Sequence, residues 1–271
     1  MSKRLSPGTN QSKKKQKKEQ SSVLSFFGSS SEPIDLTEDK NGNENDANEA
    51  KNKFSIYCDL DGVLADFNAG VKKINRGRGP DDLNSKQLWG SISNANGFFQ
   101  NLPWMEDGKK LWSAIVSDGH TPDILTGVPF VKGCREQKFA WCKKELKDAF
   151  GQEQKVFNHV DYAAPKKKHE RVKGSMRTGD NVVNVITCWS KSKYCESKKG
   201  RVLIDDRAEL GVEWIEAGGI FVHHTDTEST LVKMVELEIL SANVLTSTDD
   251  RTNGKSSQPS SPLSNEVVCL D

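Results

Sequence analysis

Phe54-Ser-Ile-Tyr-Cys-Asp-Leu-Asp-Gly-Val-Leu-Ala-Asp-Phe67 is the stretch on which the reading of the fold turns. Residues 54–58 are a short run of apolar, β-prone side chains directly after a long polar segment, and they predict a buried strand. Two carboxylates follow, Asp59 and Asp61, and then Gly62. Strand side chains two apart share a face, so both carboxylates are expected together at the strand's C-terminal end, where open α/β sheets place their ligand crevice. Gly62 accepts the backbone angles of a sharp turn there. Adjacent carboxylates repel and ask for a compensating cation or proton. A hard divalent ion such as Mg²⁺, which takes oxygen ligands, suits them. A solvated acidic turn would carry the same letters, and the rest of the chain decides between the two.

The chain has 271 residues, and its ends differ from its middle. Residues 1–52 are runs of Lys, Ser, Asn and Glu with few apolar side chains, and residues 242–271 are rich in Ser, Thr and Asp. Neither segment can bury enough apolar surface to offset the entropy of ordering, so both are expected to be disordered tails. Residues 53–241 then form one domain of ordinary size. The formal net charge of +1 gives no bulk argument for a polyanionic partner, although a basic block precedes an acidic one in the N-terminal tail. The six cysteines make no CxxC pair and lie mostly in apolar runs, which fits small core side chains in a reducing compartment. No run approaches the length of a membrane span, and the start is too basic and polar for a secretory signal. The expectation is a soluble intracellular protein with no membrane partner.

Along the domain, two more apolar runs end in chemistry. Asp123-Ile-Leu-Thr-Gly127 predicts a strand delivering the Thr126 hydroxyl and, at Gly127, backbone N–H groups that an anion can approach. Arg201-Val-Leu-Ile-Asp205-Asp206 predicts a strand ending in carboxylates. Alternation sends Asp205 and Asp206 to opposite sides, so one should reach a metal directly and the other support it. Between Phe67 and Glu106 lies a polar insertion beside the two aspartates, where a lid would originate. Its Trp89, Phe98 and Phe99 suit stacking on a base or sugar and suit a small core of the insertion equally well. Helices are expected over 106–117, over 131–150 with Phe139, Cys142, Leu146 and Phe150 on one face, over 207–217, and over 227–240 with Asp226 or Thr227 as cap. Residues 156–160, 182–186 and 220–223 read as further strands, 165–177 as a basic loop, and 187–199 as a Lys-rich connection or short helix. His223 and His224 have no evident third partner for a metal and suit a strand-end role.

The N-terminal tail carries short motifs. Lys3-Arg4 and Lys13-Lys-Lys-Gln-Lys-Lys18 form a split basic cluster that predicts nuclear localisation. Gln20, Val23, Phe26 and Phe27 follow, with Val23, Phe26 and Phe27 at helical spacing, an apolar plug of the helix-in-groove kind. This Gln-x-x-aliphatic-x-x-Phe-Phe pattern resembles the motif that docks on the replication sliding clamp (PCNA). Ile34, Asp35 and Leu36, followed by Thr37 and acids, suit strand addition to a sheet edge and resemble the SUMO-interacting motif. Residues 266–271 are a weaker second copy of that pattern.

Together, CDLDGVLADF, FFQNLPWMEDG, ILTG and VLIDDR resemble the haloacid dehalogenase-like (HAD) phosphohydrolases, and within them the 5′(3′)-deoxyribonucleotidase branch, over roughly residues 54–224. The resemblance implies an α/β fold with a HAD-like parallel sheet, helices on both faces and a small helical cap at about 68–105, after the first strand. It implies Asp59 as nucleophile, Asp61 as acid and base, and Mg²⁺ held by Asp59, the Asp61 carbonyl and Asp205, with Asp206 in support. Thr126, Gly127 and a lysine would cradle the phosphate. Lys193 fits that lysine best, and Lys191 stays open as the alternative. The expected function is a Mg²⁺-dependent phosphatase acting on nucleotides or nucleic-acid end phosphates. The alternative is a non-catalytic clamp- and SUMO-binding adaptor.

Overall fold

The three runs that end in carboxylates or a Thr-Gly pair become neighbouring strands at the centre of one sheet. The structure, a computed structural model, describes residues 53–148, 155–162 and 171–246. The basic cluster, the clamp-type and SUMO-type motifs, the lysines at 166–168 and residues 247–271 lie outside the described residues.

In chain order the elements are β1 (Ser55–Cys58), α1 (Phe67–Ile74), α2 (Ser85–Asn94), α3 (Gly108–Ser117), β2 (Asp123–Gly127), α4 (Cys134–Asp148), β3 (Val156–Tyr162), β4 (Arg171–Lys173), β5 (Val182–Cys188), β6 (Arg201–Asp205), α5 (Gly211–Glu216), β7 (Ile220–His223), α6 (Thr227–Glu236) and α7 (Asn243–Thr246). The sheet order is β4-β3-β5-β2-β1-β6-β7. β4 runs antiparallel to β3 at the edge, and the other pairings are all parallel. The fold is α/β.

Strand alternation splits the buried residues between the two faces of the sheet. Ile56, Cys58, Ile124, Val183, Val185, Val202, Ile204 and Val222 share a core with Trp112 of α3, Trp141 of α4 and Met234 of α6. Tyr57, Leu125, Ile186, Cys188 and Leu203 pack on the opposite face with Trp214 of α5. Each fully buried Leu, Ile or Val contributes about 1.5–3 kcal/mol, so losing either layer would exceed a domain's net stability.

The parallel register sets the strand ends level. Cys58 pairs with both Ile124 and Ile204, and the Asp59 N–H bonds the Ile204 carbonyl at 2.9 Å, carrying the ladder one residue further. Thr126 pairs with Thr187, and Asp205 with His223. Asp59, Thr126, Gly127 and Asp205 therefore emerge side by side at one edge.

The segment between β1 and α3 forms a helical layer over that edge, as predicted. Asp66 caps α1 by accepting from the Ala69 N–H at 2.7 Å, and Asn84 caps α2 in a reciprocal box with Gln87. α4 anchors this layer. Gln137 Oε1 accepts from the Phe99 N–H at 3.0 Å, Trp141 Nε1 donates to the Leu102 carbonyl at 2.9 Å, and Trp104 Nε1 donates to Glu145 Oε2 at 2.7 Å.

Several boundaries differ from the sequence reading. Residues 171–173, read as part of a basic loop, are strand β4, because β3 offers them an unpaired edge. Within 187–199, read as a connection or short helix, Ser190–Glu196 is a 3₁₀ helix. The closing helix stops at Glu236, where the Ile239 and Leu240 N–H groups fold back to the Met234 carbonyl. The fold also continues past 241: Val244 in α7 is buried in the main core, an apolar anchor hidden in a Ser- and Thr-rich context. No helix among the described residues is long and apolar enough to cross a membrane.

Candidate active site

After β1 the chain turns at once. The N–H groups of Val63, Leu64 and Ala65 all point to the Leu60 carbonyl, and Gly62 sits at φ +80°. A side chain at 62 would collide with the Asp206 carboxylate, so glycine is needed both for its angle and for its size. Gly127 meets a similar limit, since a Cβ there would run into the Ser190 side chain.

Asp59 and Asp205 are buried, and Lys193, itself 2% exposed, joins them. Its ammonium donates to Asp205 Oδ2 at 2.6 Å and lies 2.9 Å from Asp59 Oδ1. The second contact is an ion pair without hydrogen-bond alignment, so Asp59 Oδ1 is buried with no hydrogen-bond partner. The Arg207 N–H donates to the other oxygen of Asp205 at 3.0 Å. Alternation along β6 stops at Asp205, and Asp206, in the turn, comes back beside it rather than to the opposite side. Ligand oxygens of Asp59, Asp205 and Asp206 all lie within 4.8 Å of one another, the one such group among the described residues. Burial, then Asp59 and Asp205, push the Asp206 carboxyl up to about 7, and burial and then Asp59 raise Asp205 as well.

Asp61 faces a different cation. Its Oδ2 accepts from Lys138 Nζ at 2.6 Å, while Oδ1 is buried without a hydrogen-bond partner. Burial raises its pKa, opposed by Lys138. Lys138 is fully buried on α4 and also donates to Thr126 Oγ1 at 2.9 Å and to the Gly127 carbonyl at 2.7 Å. Burial, the largest effect, works against its charge, but Asp61, Cys134 and Asp59 together outweigh it and its pKa rises. The Asp61 carboxylate therefore stands outside the trio, and only its main-chain carbonyl stays eligible as a metal ligand.

Lys138 was missed in the sequence, yet a signal was there. Cys134, Lys138, Trp141, Cys142 and Leu146 are the buried residues of α4, spaced four, three, one and four apart. A lysine inside such an apolar stripe needs a buried carboxylate to justify it.

The site opens into a cavity of about 610 Å³. Asp59, Asp61, Gly127 and Asp206 line it, with Phe67, Trp89 and Phe99 from the helical layer and Trp189, Ser190 and Lys191 after β5. Thr126 and Lys193 lie behind this wall, fully or almost fully buried. The two candidate lysines thus separate, Lys193 among the carboxylates and Lys191 exposed at the cavity's side. The aromatic alternatives also separate. Phe98 is core, edge-on to Phe67 and Phe99, whereas Trp89 remains 38% exposed and faces the cavity. His223 Nε2 meets the Asp206 carbonyl at 3.0 Å. Buried His224 meets Thr230 Oγ1 at 2.8 Å, and since that hydroxyl donates to the Asp226 carbonyl, His224 Nδ1 must be the donor. Neither histidine joins the carboxylate trio.

In the comparisons with known proteins, no family model matches this chain and no curated protein does.

Proposed function

We propose that the domain is a Mg²⁺-dependent phosphomonoester hydrolase working through an aspartyl-phosphate, with nucleotides or nucleic-acid end phosphates as substrates. The charge balance around Asp59 carries this reading. Once ionised, the three clustered carboxylates face one ammonium, Lys193, which leaves two negative charges for one Mg²⁺ to neutralise. Asp59, Asp205 and Asp206 would hold that ion, with the Asp61 carbonyl as a further oxygen. When bound, it supplies neutralisation of the phosphoryl oxygens.

This chain's residues divide the remaining work. Asp59 attacks phosphorus through a carboxylate oxygen, and the bond from phosphorus to the ester oxygen breaks. Lys138 holds one oxygen of Asp61, leaving the other to hand a proton to the departing alkoxide. In the second half Asp61 takes a proton from water, which attacks the aspartyl-phosphate and regenerates Asp59. Lys193 fixes Asp59 against Asp205, and Lys138 ties the Thr126–Gly127 strand end to Asp61. An adaptor would have no use for two cavity-lining carboxylates that each bury an oxygen without a hydrogen bond.

Phosphate release measured with Mg²⁺, with a chelator, and with Asp59→Asn tests the reading. Wild-type turnover should need the metal and vanish in the variant. Equal turnover by wild type and Asp59→Asn would overturn it. For the tail, we propose recruitment to a sliding clamp through Gln20, Val23, Phe26 and Phe27, to SUMO through Ile34, Asp35 and Leu36, and a nuclear location. A peptide of residues 13–30 should bind the clamp saturably and lose binding with Phe26→Ala and Phe27→Ala, and a flat titration would remove the clamp proposal.

A further inference from the structure

Phe130 is 81% exposed, the most exposed of the large apolar side chains among the described residues. It does not hang free. Its ring packs on Trp189 with centroids 5.0 Å apart and planes tilted by 42°. The two rings leave adjacent parallel strands, β2 and β5, and the Val128 N–H, bonded to the Cys188 carbonyl at 2.9 Å, holds the two exits together. The pair therefore stands at the strand edge that presents Gly127, with Trp189 reaching the cavity and Phe130 beyond its rim.

Exposed Lys132 and Lys191 follow Phe130 and Trp189 by two residues each, and no carboxylate among the described residues pairs with either. A bare ring pair beside unpaired cations suits a stacked base with a phosphate on each side, the arrangement by which single strands are held. Trp189 lines the cavity, and Phe130 does not. With a terminal phosphate at Asp59, the base of the terminal nucleoside would share the cavity with Phe67, Trp89, Phe99 and Trp189, and the next nucleotide along a chain would be the one to extend to Phe130.

We infer that the Phe130–Trp189 pair is a stacking platform for the penultimate base, and that the substrate is the terminal phosphate of single-stranded nucleic acid rather than a free mononucleotide. The inference rests on the hydrolase reading above. Water cleaves the terminal phosphorus–oxygen ester bond, releasing inorganic phosphate and leaving a hydroxyl on the strand.

The test uses the full chain with Mg²⁺ and follows phosphate release from thymidine monophosphate, dithymidylate and pentathymidylate, phosphorylated at the 5′ or the 3′ end. From mononucleotide to dinucleotide kcat/KM should rise on the order of 10-fold at the preferred end, the effect expected of one base stack. Phe130→Ala should abolish the rise and Phe130→Tyr should keep it. Equal wild-type kcat/KM on both lengths, or a proportional loss on both in Phe130→Ala, overturns the platform. A second arm titrates labelled, phosphorylated pentathymidylate into Asp59→Asn by anisotropy, with and without Phe130→Ala, where about 10-fold weaker binding is expected. Phosphate release with binding that ignores Phe130 assigns the rings to a protein contact and overturns the inference. Binding that responds to Phe130 with no release from any substrate supports the platform while refuting the hydrolase.

Discussion

Lys138 shows how much one side chain can hold. It lies wholly inside the protein, yet spans Asp61, Thr126 and the Gly127 carbonyl, so it joins the ends of two strands from a helix. Removing one partner of a buried ion pair leaves an uncompensated charge, at a cost of about 3–5 kcal/mol. Lys138→Met should therefore destabilise the domain by that order in urea unfolding, and by much less in an Asp61→Asn background. Equal costs in both backgrounds would mean that Lys138 serves packing alone. Asp123 offers a second residue-level expectation, away from the cavity. Burial lifts its carboxyl to about 6, although the Asn184 N–H and side-chain amide both donate to it. Its unfolded pKa is near 3.9, so between about pH 4 and 6 the folded state keeps a proton that the unfolded chain has released. Its stabilising share is full below that window and lost as pH rises through it, on the order of 3 kcal/mol at most. Asp123→Asn should remove this slope, and unfolding free energies measured at pH 4.5 and 7 would show it. Parallel pH profiles for the two proteins would count against the assignment. Lys193 was reached through the family resemblance alone, whereas Asp59, Asp61, Thr126, Asp205 and Asp206 were readable because each sits at or near the end of an apolar run. Lys138 was not, because its partner is 77 residues away and only the folded chain reveals it.

At the scale of elements, what the sequence made legible follows from periodicity. β1, β2, β5 and β6 are runs buried on both faces, β7 at the edge is a half-buried apolar run, and both sheet faces in fact carry a core. Their β-rich letters therefore betrayed them without an alternating pattern. β4 has three residues, Arg171-Val-Lys173, whose own composition argues for a loop, and only the free edge of β3 makes it a strand. α7 was lost for the same reason, since its anchor Val244 matters only through the core it meets. The helical layer was predicted in place but not in attachment. Gln137, Trp141 and Glu145 reach it from α4 at i, i+4 and i+8, a stripe adjoining the one that buries Lys138. One helix thus fixes the aromatic roof with one stripe and the Asp61 carboxylate with the next. Displacing α4 would move both, which ties the shape of the cavity to the position of Asp61.

For the whole molecule, the site is a liability that a ligand can turn into stability. Asp59, Asp205 and Asp206 repel across less than 5 Å, and Lys193 answers only one of the three charges. Without a cation the fold bears that repulsion. A cation that binds the folded state alone stabilises it by about 2.7 kcal/mol at a hundred times its Kd. For a domain of this size each kcal/mol shifts the midpoint by roughly 2–4 °C, so saturating Mg²⁺ should raise Tm by on the order of 5–10 °C. Asp206→Asn serves as the control, because Asp206 is the exposed member and its amide fits where the carboxylate stood. That variant should be more stable than wild type in chelator, having lost one repelling charge, and should gain less from Mg²⁺, having lost one ligand. The two melting curves should therefore cross in order between chelator and Mg²⁺. A Tm of wild type that ignores Mg²⁺, or a variant that keeps the same rank under both conditions, would mean that the three carboxylates do not form a metal site.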